Sequence, residues 1–88
     1  MPTVKIYSTS WCAFCKAERE FLDTQGVTYE DVNVEEDQTA AEEMIKLSGQ
    51  MGVPVTRIIH EGGAESLKVG FDQDWLVAEL KLAPTKTA

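Results

Sequence analysis

Val4 and Ile6 alternate with Lys5 and Tyr7 across residues 3 to 8, and three polar residues, Ser8 to Ser10, then lead toward Cys12 and Cys15. Alternation of period two predicts a strand. From the cysteines onward the period becomes helical: Phe14, Ala17 and Phe21 recur at spacings of three and four, with Leu22 widening the face. A strand that passes into a helix through a short polar loop commits the chain to an α/β arrangement. It also sets the only two cysteines at the carboxyl end of a strand and the amino end of a helix, where open α/β sheets place their sites.

The rest of the chain can be read in the same way. Gly26 is placed to cap the first helix, and "VTYEDVNV" (27 to 34) is β-branched and aromatic enough for a second strand. A second helix is expected over 37 to 48, with Thr39 and Glu42 in capping-box spacing and Ala41, Met44, Ile45 and Ser48 on one face. Gly49 and Gly52 end it. "VPVTRIIH" (53 to 60) is a third strand that starts at a proline, where no interior ladder bond is lost. Glu61 to Ala64 form a turn into a short fourth strand over 65 to 70. Asp72 then caps a third helix outlined by Trp75, Leu76, Glu79 and Leu80 and stopped by Pro84. The order β-α-β-α-β-β-α requires a right-handed crossover between parallel strands and ends in an antiparallel hairpin. The expected fold is α/β, a four-stranded mixed sheet flanked by three helices. The 88 residues suit a single domain, with its core over about 3 to 82 and a tail over 83 to 88.

Fifteen acidic residues against eight basic ones give a formal charge of −7, which argues against nucleic acid and anionic membranes as partners. Seven of the fifteen fall between Glu30 and Glu43, a run that reads as a solvated face or as an acidic docking surface for a partner. No stretch approaches the roughly 18 apolar residues of a membrane span. The first residues show no secretory pattern and the last no lipidation signal, so a cytoplasmic protein is expected, and a monomer is expected as well. In that reducing compartment a lone C-x-x-C is catalytic or metal-binding more often than a structural disulfide.

The nucleophile of disulfide exchange is the thiolate, and an ordinary cysteine of pKa about 8.5 is only roughly 3% ionised at pH 7. A helix amino terminus, with its unpaired N–H groups, stabilises the charge. Cys12 is placed to gain from this as the attacking thiol. Cys15, one turn further in, can close back on Cys12 as the resolving thiol and release a bound product. Lys16 adds positive charge beside the pair or is simple solvated helix surface. A structural zinc site wants four Cys or His ligands, whereas the chain offers two cysteines and the single His60, read as an ordinary edge-strand residue. A cluster or zinc ion shared between two chains through Cys12 stays open at this point, as do two incidental thiols.

"IYSTSWCAFC" resembles the strand-loop-helix that carries the redox pair in glutaredoxins, small members of the thioredoxin-fold superfamily. "GVPV" (52 to 55) resembles that family's cis-proline segment, and "VGFD" (69 to 72) the segment leading into its last helix. The resemblance spans about residues 3 to 82 and implies a thioredoxin-like fold with a cis Val53-Pro54 bond lying against Cys12, the Val53 backbone being left to pair with a substrate backbone. It also implies that the γ-glutamyl end of glutathione would be held at Asp72. Three departures stand out. Ala13 and Phe14 replace the usual proline and tyrosine between the cysteines, Thr9 stands where glutathione users often carry lysine, and Gly70-Phe71 replaces a double glycine, with the Phe71 ring expected to narrow the glutathione groove. Trp11 is similar to the thioredoxin "WC" start, and Phe71 to the NrdH-type redoxins that serve ribonucleotide reductase. Exposed beside Cys12, Trp11 and Phe14 would form an apolar rim for a protein substrate; buried, they would belong to the core. The resemblance therefore implies a disulfide oxidoreductase acting on protein disulfides or glutathione mixed disulfides, with no bound cofactor. Its electrons would come from glutathione or from thioredoxin reductase. A dedicated donor to ribonucleotide reductase and an iron–sulfur or zinc module are the alternatives.

Overall fold

Seven elements follow one another in the expected order in a computed structural model that describes residues 2–82: β1 (Thr3–Ser8), α1 (Ala13–Thr24), β2 (Glu30–Asn33), α2 (Gln38–Ser48), β3 (Val55–Ile59), β4 (Glu65–Val69) and α3 (Gln73–Leu80). They form one four-stranded mixed sheet in the order β2-β1-β3-β4. β1 runs parallel to β2, with Lys5 opposite Glu30, and antiparallel to β3, with Ile6 opposite Thr56 and Tyr7 opposite Val55. β3 and β4 close the hairpin, with Thr56 opposite Lys68.

Strand side chains alternate between faces, and this register sorts the interior into two clusters. Val4, Ile6 and Ile58 on one face meet Leu22 of α1 and Leu76 of α3. Tyr7 and Val55 on the other meet Ala40 and Met44 of α2. Each large side chain so buried contributes roughly 1.5–3 kcal/mol relative to leaving it in water. On α2, Glu43 accepts hydrogen bonds from the Tyr7 hydroxyl and from Lys5 Nζ, the latter at 3.1 Å. The polar groups of β1 are thereby tied to the helix that covers the strand.

Several expectations change in detail. The buried stripe of α1 is Cys15, Glu18 and Leu22, with Phe14 turned outward. The helix is rotated relative to the apolar reading, and a glutamate occupies a core position. The α2 cap is Asp37, whose carboxylate accepts from Ala40 N–H at 3.0 Å, while Thr39 lies inside the helix. Its inner face is Ala40 and Met44, with Ile45 exposed. Gly49 ends α2 at φ 74°, a left-handed conformation that costs glycine nothing. His60 follows β3, an inner strand, and lies within 3.1 Å of both Ser66 Oγ and Glu79 Oε1, so it bridges hairpin and α3 and is not an edge residue. α3 begins at its cap Asp72 as expected, with Trp75 N–H donating at 3.0 Å. Pro84 and the tail from 83 lie outside the described residues.

Candidate active site

The loop leaving β1 delivers Cys12 as the N-cap of α1, in extended conformation. Its sulfur accepts the Cys15 backbone N–H at 3.1 Å, so a first-turn amide points at the atom that must carry negative charge. On the other side, Cys12 Sγ lies 3.9 Å from the Val53 carbonyl oxygen, and the Val53–Pro54 peptide bond is cis. The Pro54 carbonyl in turn accepts Gly70 N–H at 2.8 Å, fastening this segment to the end of β4.

The two thiols are free and differ in access. Cys12 keeps 7% of its surface exposed; Cys15 has none. Burial, with the neighbouring Cys12 adding to it, pushes the Cys15 thiol up to about 12. It is therefore a neutral thiol near pH 7. One turn further along the same buried stripe, Glu18 has no exposed surface. Thr56 Oγ1 donates to its Oε2, Oε1 has no partner, and burial raises the carboxyl to about 7.

Cys12 opens into a groove of about 500 Å³ whose walls include Trp11, Phe14, Val34, Met51 and Val53. Trp11, Phe14 and Met51 are 72%, 69% and 77% exposed. The structure thus brings Trp11, Phe14 and Val53 together around Cys12, with Pro54 buried next to Val53 and outside the groove wall. It does not bring Phe71 there: its ring turns onto Phe21, centroids 6.0 Å apart, and packs between α1 and α3. Asp72 is occupied as the α3 cap and by Lys68 Nζ at 3.4 Å. Thr9 is buried beside the groove and its hydroxyl has no partner.

Two contributors escaped the sequence reading. Met51 follows the glycine-flanked end of α2, and no periodicity marks it. Glu35 lies in the acidic run, yet its carboxylate gathers Ser10 N–H at 3.1 Å, Ser10 Oγ at 2.9 Å and Trp11 Nε1–H at 2.7 Å. Those donors, the Ser10 amide foremost, hold the carboxyl below its ordinary range.

Residues 4–61 match the glutaredoxin family model, a span that holds Cys12, Cys15 and the Val53–Pro54 bond. The chain belongs to the glutaredoxin family. It is 33% identical over 69 residues to glutaredoxin 3 of Escherichia coli K12, covering 76% of this chain and 83% of that one. It is 47% identical over 55 residues to an uncharacterized glutaredoxin-like 8.6 kDa protein of a Clostridium pasteurianum rubredoxin operon, covering 62% and 73%. Among solved structures it is similar to NrdH-redoxin from Escherichia coli, described as a glutaredoxin-like protein with a thioredoxin-like activity profile. That likeness has a TM-score of 0.71 at 25% identity and covers 96% of this chain and 99% of that one. The fold is thioredoxin-like, and the site is that of a glutaredoxin-family thiol-redox protein. Among the described residues, no helix is long and apolar enough to cross a membrane.

Proposed function

We propose that this glutaredoxin reduces protein disulfides and glutathione mixed disulfides in the cytoplasm through Cys12 and Cys15. Cys12 thiolate attacks one sulfur of the substrate disulfide, forming a mixed disulfide and releasing the first thiolate, which takes a proton. Cys15 then loses its proton and attacks Cys12 Sγ. This releases the second thiolate and leaves a Cys12–Cys15 disulfide, so two electrons have passed to the substrate. The observation that carries the reading is the asymmetry of the pair: one sulfur held at a helix amino terminus on the groove, the other sealed one turn behind it. The Val53 backbone is suited to pair with the substrate chain as an added strand, and Trp11 and Phe14 form the rim.

The electron supply is glutathione or thioredoxin reductase. Thr9, which offers no charge, and the exposed Trp11 favour the second, as in a dedicated donor to an enzyme such as ribonucleotide reductase. Phe71 leans the other way, because its ring packs on Phe21 and leaves the groove open. NADPH consumption during disulfide reduction, run with glutathione plus glutathione reductase and separately with thioredoxin reductase, distinguishes the two. Cys12→Ser must abolish turnover with either supply; retained turnover sinks the proposal.

A further inference from the structure

Glu35 spans 24 residues of sequence to reach Trp11 Nε1 and binds Ser10 twice as well. The indole is therefore fixed before any partner arrives, which removes the cost of ordering it on binding. Trp11, Phe14 and Met51 surround Cys12 with apolar surface, and no charged side chain lines the groove. The charges lie at its border. Glu35 sits against Trp11, Glu36 and Asp37 follow it, and Lys16 is the single basic residue in segments 9–16, 33–37 and 51–54.

Resting on the reading of Cys12 and Cys15 as a disulfide-reducing pair, we propose that this surface takes a basic protein segment. Its disulfide-bonded cysteine enters at Cys12, apolar neighbours pack on Trp11, Phe14 and Met51, and flanking Lys or Arg side chains face Glu35 and Glu36. Glu35 acts as a positioning residue for Trp11 and as the charge that selects the segment. Segments bearing carboxylates, glutathione among them, carry the same sign of charge as Glu35 and are disfavoured, though not excluded. The interaction lies at the surface, so salt screens it within about 8–10 Å.

The test uses two peptides that share apolar residues around one cysteine, each as a mixed disulfide with the same small thiol. One is flanked by two arginines, the other by two glutamates. The ratio of their kcat/KM values, taken within one enzyme, cancels any general change in activity. The wild-type protein should favour the basic peptide about tenfold at low ionic strength, and the ratio should fall toward one in 0.5 M salt. Glu35→Gln should reduce the ratio several-fold and Glu35→Lys should invert it. In Glu35→Ala, the Trp11 indole N–H should exchange with solvent faster by NMR than in wild type. A wild-type ratio near one, or one that Glu35→Lys leaves alone, overturns the inference while leaving the oxidoreductase reading intact. Turnover of neither peptide overturns both.

Discussion

Replacing Glu18 with glutamine should change how stability depends on pH. The carboxyl is buried against Thr56, and burial raises it from an ordinary 4.5 to about 7. Below pH 4.5 it is protonated in folded and unfolded chains alike, and the fold keeps its full stability. As the pH climbs through about 7 the unfolded chain has already ionised, and that stability is lost. At about 1.4 kcal/mol per pH unit, the gap corresponds to roughly 3 kcal/mol. Glutamine cannot ionise and is spared the loss. Its amide N–H₂ would stand where Oε1 has no partner, a fixed cost of about 1–3 kcal/mol that does not vary with pH. The variant should therefore be the less stable protein at pH 4.5 and gain on wild type by roughly 3 kcal/mol by pH 8. Urea unfolding at pH 4.5, 6 and 8 measures the difference. With a slope of about 1 kcal/mol per molar for a small domain, the relative midpoint should move by roughly 2–3 M. Carboxylates common to both proteins cancel in the comparison. A midpoint difference that stays flat from pH 4.5 to 8 would refute the reasoning.

Other outcomes follow from the same geometry. Cys15→Ser should trap Cys12 in a stable mixed disulfide, visible by mass spectrometry, because nothing remains behind the sulfur to displace the product. In the native protein at pH 8, iodoacetamide should modify Cys12 and spare Cys15, which is fully buried and pushed up to about 12; two labels on folded protein would contradict that placement. Asp37→Ala should cost about 1 kcal/mol in urea unfolding by removing the α2 cap, whereas Thr39→Ala should stay within about 0.5 kcal/mol.

The sequence carried its clearest signals where a feature was local. The alternation of β1, the cysteine spacing, the "GVPV" segment and the Asp72 cap each lie within a few residues, and each reappears in its expected place. The errors share another cause. The expected helix face runs through Phe14, Ala17, Phe21 and Leu22 and leaves Glu18 out, yet the register that sets Thr56 opposite Ile6 turns its hydroxyl toward α1 and gives the buried carboxyl a donor. Thr39 and Glu42 had the spacing of a capping box, but Asp37, two residues earlier, already satisfied the first turn. Phe71 was expected at the groove; only the packing of α3 on α1 turns its ring onto Phe21. The Glu35 contact depends on β2 lying parallel beside β1, so it joins residues whose proximity no local pattern could signal.

The strand that delivers Cys12 is bonded on both sides, to β2 and to β3, and is packed on both faces. Proteins loosen first at their ends and edges and last in such central strands. Brief openings at the end of α3 or along β4 thus leave the nucleophile's support in place. Resistance of β1 amides to hydrogen exchange should approach that of global unfolding, so the chemistry and the whole fold would fail together in a denaturant series. In such a build, a partly opened form that frees the reactive thiol is disfavoured, which limits stray exchange with other thiols.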